Sequence, residues 1–394
     1  MFKGLLLLRT CRFALYSMLL TAPVWASEGK QVFTGTLGQA PIVVELFEDM
    51  AGDVQGRYFY RKYHKDLRLE GKREGDALVL EESRWGSSGA HPGLRLEPSA
   101  KGWQGEWKGA DGKSLKIELS PARIPPLPAE PIPYLALMHD MAPYDYLRLL
   151  ELKLKPGKKQ NFMGYSLQWW SEPESGATLF EVVAGYPQPA LKAINLQLSS
   201  SLWQAVVAYH GCLLAGGDEG SFEQTAKPML LTSSVISVSV SHEFMCGGAS
   251  PNQDQFPINL DASTGRPLTL EDVMWIAEGE PIHYEEFMPG RDHYPAEITD
   301  AYYDYRNTLF GRWLVGYFQE LYPRQMKDAG EQGGCDYDNE QRWKFANWYF
   351  TAKGLYFNPD FVQAASACRW PSWSYLPYSI VKKTPGGVPL HLPD

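Results

Sequence analysis

The chain has 394 residues, a formal net charge of −9 at neutral pH, and 13 tryptophans, 22 tyrosines and 17 phenylalanines. So many large aromatic side chains can fill sizeable cores, which excludes an intrinsically disordered protein. An acidic surface repels phosphate backbones, so nucleic acid is not an expected partner. The negative charge would suit a basic protein partner, although solubility alone is the commoner reason for such a charge.

Residues 1–26 have the features of a cleaved signal peptide. Three basic residues precede an apolar run at 13–20, and Val24-Trp25-Ala26 resembles a small-residue cleavage site. A transmembrane anchor is the alternative, but the apolar run is shorter than the roughly 20 residues that span a bilayer. Cleavage would change the formal charge from −9 to −12, because the segment holds no acidic residue. We expect a periplasmic protein of a Gram-negative bacterium with no transmembrane segment after signal cleavage.

Four cysteines remain beyond the predicted signal peptide. An even number of cysteines in an exported chain predicts two disulfides. Three pairings are possible, and we favour Cys212–Cys246 with Cys335–Cys368 because these close two loops of similar length. Metal binding is the alternative, but no two cysteines have the C-x-x-C spacing of a zinc knuckle.

Residues 27–120 form the first predicted unit, an antiparallel β-module. About eight short segments alternate apolar with charged residues and are separated by turns, of which Asp111-Gly112 is a strong hairpin signal. This pattern predicts a small barrel or sandwich, which could hold a ligand, bind another surface or only fill space. Residues 121–133 contain six prolines and are predicted to be a stiff linker.

Residues 134–394 are predicted to form an α+β domain with helices packed on a mainly antiparallel sheet. One helix follows Pro189 and is expected to stop at Gly211, and a second runs from Glu297 to about Tyr322. The residues from Val235 to Phe244 alternate with a period of two, which is typical of a half-buried strand. Thr269 has the position of a helix N-cap. A last strand is expected from Tyr375 to Val381.

A family resemblance lies in the middle of this second unit. Cys246-Gly247-Gly248-Ala249 is followed by Asn259-x-Asp261 and by Thr264-Gly265-Arg266-Pro267-Leu268-Thr269-Leu270-Glu271-Asp272-Val273. This order resembles the extracytoplasmic domain of RsiV-type anti-sigma factors, which sense lysozyme, and the appendages of some peptidoglycan deacetylases. The resemblance covers about residues 150 to 383, and its motifs are structural turns.

The chain departs from that family in two respects. Ser250 stands where the family often has histidine. The chain also shows neither a transmembrane helix nor a cytoplasmic sigma-binding region, so we do not expect an anti-sigma role. The family offers no catalytic residues that could be carried over to this chain.

Motifs for catalysis are not found in the sequence. It contains no G-x-S-x-G elbow, no G-x-G-x-x-G, no P-loop and no H-E-x-x-H, so we expect no catalytic residues, no cofactor and no metal. His242 beside Glu243 could act as a general base, but neighbours on a strand point to opposite faces, which favours a structural or surface histidine. Asp336 to Glu340 has acids spaced as in a calcium loop, but Gln341 replaces the required glycine, which favours a solvated turn.

Two segments are candidates for contact with a partner. Trp370, Trp373 and Tyr375 follow Cys368 and could form an aromatic loop fixed by a disulfide. His283, Glu285 and Arg291 lie in a polar loop between elements, where recognition residues are common, although an ordinary surface loop is the alternative.

We therefore expect a non-enzymatic periplasmic binding protein. Its partner would be another envelope or secreted protein, such as a cell-wall hydrolase or a toxin that it inhibits, or else a cell-wall fragment. The alternative is a cell-envelope hydrolase whose active site is assembled from scattered residues.

Overall fold

The computed structural model describes residues 29–83, 91–282, 284, 296–327 and 334–394. The predicted signal peptide, residues 1–26, lies outside these ranges, and so do His283, Glu285 and Arg291.

The first unit is a closed antiparallel barrel, which confirms the predicted all-β module and selects the barrel over the sandwich. Each strand pairs with the next, and β8 closes the barrel on β1 through pairs such as Phe33 with Pro121. A side chain at Gly35 is excluded, because its Cβ would lie 1.8 Å from the carbonyl oxygen of Glu118 on β8. The strands are β1 (Gln31–Leu37), β2 (Ala40–Glu48), β3 (Asp53–Tyr60), β4 (Asp66–Glu74), β5 (Ala77–Ser83), β6 (Gly93–Ser99), β7 (Gly102–Lys108) and β8 (Ser114–Pro121).

The interior of the barrel is packed with apolar side chains, as is usual for an eight-stranded barrel. Glu82 is a buried polar side chain among them, and it accepts hydrogen bonds from Tyr58 Oη at 2.6 Å and Trp107 Nε1 at 2.5 Å. Burial is the main cause that raises the pKa of Tyr58, so this phenol stays protonated and keeps donating. The buried interior residues are Phe33, Leu37, Ile42, Val44, Leu46, Val54, Tyr58, Leu69, Leu78, Leu80, Leu94, Leu96, Trp103, Ile117 and Leu119.

Two short helices connect the barrel to the rest of the chain. Residues 122–132 contain no helix or strand and lead to α1 (Pro133–Met141) and α2 (Pro143–Leu149). Each helix begins with proline, whose fixed φ suits the first helical position. Tyr144 and Leu147 of α2 pack on Val43 and Phe59 of the barrel. The barrel is therefore joined to the second unit by packing as well as by the chain.

The second unit contains helices and antiparallel sheets, as the predicted α+β class requires. The strands β9 (Lys155–Phe162), β10 (Tyr165–Ser171) and β11 (Thr178–Ala184) form one sheet. The long helix α3 (Gln188–Gly216) packs on β11 and leads to a second sheet. That sheet contains β12 (Ser221–Leu231), β13 (Val235–Met245), β14 (Asn252–Gln255) and β15 (Ile258–Asp261).

The predicted helix stop at Gly211 is wrong, because α3 continues to Gly216. Gly211 is exposed, so it interrupts no packing. The following residue, Cys212, forms a disulfide with Cys246 and fixes the last turns of the helix against the end of β13. The second predicted disulfide, Cys335–Cys368, is also present.

The remaining elements pack around an aromatic core. Thr269 caps α4 (Leu270–Val273) with a complete capping box, as predicted. The predicted helix at 297–322 consists of α5 (Ala296–Tyr305), a π-helical turn (Arg306–Phe310) and α6 (Gly311–Leu321). No described helix is long and apolar enough to cross a membrane.

The chain ends in a small sheet of β16 (Asn347–Thr351), β17 (Gly354–Asn358) and β18 (Tyr375–Leu376). The predicted strand from Tyr375 to Val381 is wrong beyond Leu376. Pro377 ends it and precedes α7 (Tyr378–Val381), because proline lacks the donor that a continuing strand needs.

Candidate functional site

A cluster of buried charges joins the barrel to α2. Arg57 donates to Asp145 at 2.8 Å, and Arg148 pairs with Asp66 across the same interface. Tyr144 Oη also donates to Asp66, at 2.5 Å. The side chains of Asp66 and Arg148 are each 1% exposed. These charges neutralise one another, so the cluster supports a structural role better than a catalytic one.

Beside this cluster, a cavity of about 350 Å³ separates the barrel from the end of α3. Asp66, Ser83 and His210 all line it, and these are the residue types of a hydrolase triad. Ser83 Oγ and His210 Nε2 have no hydrogen-bond partner, so the two are not bonded to each other. Burial, followed by the charge of Arg148, lowers the pKa of His210 to about 2, which makes this imidazole a poor general base. The arrangement therefore lacks the contacts of a working triad.

Within the described ranges, no group of three histidine, cysteine, aspartate or glutamate side chains could hold a metal ion. The acidic segment at Asp336 forms local bonds instead. Asp336 accepts from Arg342 Nε at 3.0 Å and from Asn339 Nδ2 at 3.0 Å. The hydrogen bonds from Arg342 and Asn339 lower the pKa of Asp336. These contacts favour a turn over a calcium loop.

His242 is buried between two aromatic rings, of which Phe256 is 49% exposed. Its ring centroid is 4.8 Å from that of Phe222 and 4.7 Å from that of Phe256. It is 8% exposed, and burial lowers its pKa to about 4. Glu243 is exposed, on the opposite face of the strand. The pair does not form an acid–base site.

The three described candidate residues for partner contact occupy different positions. Trp373 packs inward, with its ring 5.8 Å from Phe318 and 5.2 Å from Tyr337. Tyr375 is half-buried and lies 5.3 Å from Tyr356, whose ring is 4.8 Å from that of Tyr349. The aromatic loop is therefore divided between core and surface, and Trp373 belongs to the core side.

Trp370 is held in a fixed loop beside β14. It has a left-handed backbone with φ of 54°, and its amide donates to Asn358 Oδ1 at 2.8 Å. The neighbouring Arg369 donates to the carbonyl oxygens of Phe361 at 2.7 Å and Gln253 at 2.9 Å. These bonds attach the loop after Cys368 to the second sheet.

The second sheet, which contains β12 to β15, also contributes small polar side chains near these aromatic residues. Thr225 and Ser241 share a hydrogen bond of 2.7 Å, and Gln255 donates to Ser239 at 3.0 Å. Burial is the main cause that raises the pKa of Tyr349 to about 12, while its contacts with Gln255 and Ser239 act in the opposite direction. Tyr349 therefore connects the polar strands to Tyr356 and Tyr375. We call the partly or fully exposed members of this surface the C-terminal face; they are Thr225, Ser239, Ser241, Lys353, Arg369, Trp370 and Tyr375.

In the polar loop that was predicted to carry recognition residues, the structure describes Tyr284. Its ring lies 4.8 Å from Tyr302 and 5.8 Å from Tyr303 on α5. Tyr303 in turn lies 5.6 Å from the ring of Phe345, which is 46% exposed. His283, Glu285 and Arg291 lie outside the described residues, so their proposed contacts stay a prediction.

No protein-family model matches the chain, and no curated protein sequence matches it. The resemblance to the RsiV-type domain stays a prediction.

Sequence reasoning missed the charged cluster and the cavity. Asp66 and Arg148 are 82 positions apart and follow no shared motif. The proline at the start of α2 could have indicated that helix, but not its contact with the barrel.

Proposed function

We propose that this chain is an exported, non-enzymatic binding protein that holds another envelope or secreted protein on its C-terminal face. The two disulfides support an oxidising compartment, and the periplasm is the compartment we propose. The predicted RsiV-type resemblance suggests a cell-wall hydrolase or a toxin as the partner, with inhibition as the result.

The observation that carries this proposal is the way Tyr375 is held. Its ring packs against buried Tyr356 at an interplanar angle of 60°, Tyr356 packs against buried Tyr349 at 34°, and Lys353 Nζ lies 5.1 Å from the centre of the Tyr375 ring. A rigid tyrosine gives a large contact area and loses little conformational entropy on binding.

The neighbouring residues suit the same purpose. Tryptophan and arginine are enriched among the residues that dominate protein interfaces, and Trp370 and Arg369 supply them here. Serine and threonine provide adaptable hydrogen bonds around such aromatic residues, as in antibody paratopes. The disulfide at Cys368 limits the motion of the loop that carries Arg369 and Trp370.

A pull-down from envelope extract tests the proposal with residues 27–394 as bait. The bait is compared with the double variant Trp370→Ala/Tyr375→Ala and with Tyr63→Ala, which removes a 55% exposed tyrosine from the barrel. We expect a protein that the wild type and Tyr63→Ala retain and that the double variant loses. Retention of no protein, or equal retention by all three baits, would contradict the proposal. Retention of isolated peptidoglycan in place of a protein would identify a cell-wall fragment as the ligand.

A hydrolase is the second candidate function, because Ser83, His210 and Asp66, the residue types of a catalytic triad, all line one cavity. An assay of peptidoglycan, peptide and ester hydrolysis by the wild type and Ser83→Ala decides this point. The missing Ser83–His210 bond and the low pKa of His210 predict no turnover by either protein. Activity that is lost in Ser83→Ala would establish the hydrolase.

A further inference from the structure

The cavity between the barrel and the end of α3 is separate from the C-terminal face. Lys65 to Arg68 and Ser83 line it on the barrel side, and His210, Leu213, Leu214 and Gly217 line it on the helix side. Its volume of about 350 Å³ lies within the range of small-molecule sites.

Three polar atoms of residues that line this cavity are buried without a hydrogen-bond partner. They are Nε2 of His210, Oγ of Ser83 and Oδ2 of Asp66. His210 as a whole is only 2% exposed. Buried polar atoms are nearly always hydrogen-bonded, because leaving one unpaired costs much of its hydration free energy. A molecule in the cavity would supply the missing partners.

The charges around the cavity do not favour an ion of either sign. Asp66 pairs with Arg148 and lies 3.8 Å from Arg57, so its carboxylate is compensated. Lys65 and Arg68 line the cavity together with Asp218, which places both signs there. Burial lowers the pKa of His210, so the imidazole is neutral near pH 7.

The lining therefore combines a neutral imidazole, a hydroxyl and a compensated carboxylate with apolar leucine side chains. A carboxylate oxygen accepts, a hydroxyl donates and accepts, and a neutral imidazole nitrogen does one or the other according to its tautomer. Molecules with several hydroxyl groups match such a mixture, because each hydroxyl can also donate and accept. The carbon–hydrogen face of a sugar ring can pack on Leu67, Leu213 and Leu214.

We propose that this cavity binds a small uncharged polyhydroxylated molecule, of the size of one or two sugar rings, with Ser83, Asp66 and His210 as its hydrogen-bonding residues. This site makes no use of the C-terminal face and does not depend on the protein-binding function.

Nuclear magnetic resonance of the histidine rings tests the proposal. Residues 27–394 labelled with ¹⁵N are titrated with methyl glucoside and with N-acetylglucosamine, and inorganic phosphate and acetate serve as ionic comparisons. His242 is an internal control, because it is also buried with an unpartnered Nε2 but does not line the cavity. We expect a sugar in the millimolar range to shift the ring signals of His210 and to leave those of His242 unchanged.

Two variants of the cavity and one control variant make the result specific. Ser83→Ala removes one hydrogen-bonding group and should weaken sugar binding about tenfold. Leu214→Trp places a large side chain in the cavity and should abolish the shift, whereas His242→Gln should leave it unchanged. The proposal is overturned if neither sugar shifts His210, if both histidines shift alike, or if only phosphate or acetate shifts His210.

Discussion

Two regions of the molecule differ in how exposed their functional groups are. One is the charged cluster between the barrel and α2, and the other is the C-terminal face. In the cluster, Asp66 and Arg148 are almost fully buried and are paired with each other. On the C-terminal face, Tyr375 remains half-exposed, and the contacts that fix it come from buried tyrosines beneath it. The chain thus uses buried, paired charges to hold two units together and leaves polar and aromatic groups accessible on the C-terminal face.

This difference suggests that the charged cluster serves stability and that the C-terminal face serves binding. A buried, neutralised ion pair contributes little to binding a partner, and removing one member is costly. A preorganised aromatic residue on the surface contributes little to folding but much to an interface. Substitutions in the two regions should therefore separate stability from binding.

The largest expected effect comes from Arg148→Leu. The change leaves Asp66 buried beside Arg57 with its main partner removed, and should lower the free energy of unfolding by about 3–5 kcal/mol. Urea unfolding measures this value. The control Arg95→Leu removes an exposed arginine that lies 3.7 Å from Glu74, and should cost less than about 1 kcal/mol. Equal effects of the two substitutions would show that the cluster does not hold the units together.

The two disulfides sharpen the comparison, because their sequence separations are nearly equal, 34 and 33, and only Cys335–Cys368 directly precedes the loop of the C-terminal face. Replacing either pair by serine should lower the free energy of unfolding by about 2–4 kcal/mol. Only Cys335→Ser/Cys368→Ser should also weaken binding of the protein partner, because Cys368 precedes the loop of the C-terminal face. If Cys212→Ser/Cys246→Ser weakens that binding as much, the disulfide does not organise this face.

The two buried histidines predict a pH dependence of stability. The unfolded chain binds a proton on each histidine as pH falls below 6.5, whereas the pKa of His242 is lowered to about 4 and that of His210 to about 2 by burial. Each histidine should therefore reduce the free energy of unfolding by about 1.4 kcal/mol per pH unit as the pH falls below about 6.5, the pKa of histidine in the unfolded chain. The loss of stability caused by His242 should end below about pH 4, whereas the loss caused by His210, beside the charged cluster, should continue at lower pH.

Urea unfolding between pH 7 and 4 measures these slopes. His210→Gln and His242→Gln should each flatten the dependence, and replacement of the exposed His391 by glutamine should leave it unchanged. A slope that neither core substitution alters would mean that these histidines are not neutral in the folded chain.

The alternating segments predicted the β-module because most strands have one buried and one exposed face, although β2 is buried on both sides where it packs on α2. Loop lengths favoured one of the three possible disulfide pairings, and the structure contains that pairing. The sequence did not reveal which aromatic of the loop after Cys368 faces the core, because this irregular segment has no period. Trp373 turns inward while Tyr375 stays partly exposed, and only the packing of Phe318 and Tyr356 decides this. The Asp66–Arg148 pair was invisible for a related reason, since long-range contacts between single residues leave no local pattern.

The central claim is that the C-terminal face binds a protein partner, and the dissociation constant of the captured partner tests it most directly. Calorimetry would compare the wild type with Tyr375→Ala and with the barrel control Tyr63→Ala. We predict that Tyr375→Ala weakens binding at least about tenfold, as expected for a residue that dominates an interface. Unchanged affinity in Tyr375→Ala, with loss of affinity in Tyr63→Ala, would contradict the claim and move the binding surface to the barrel.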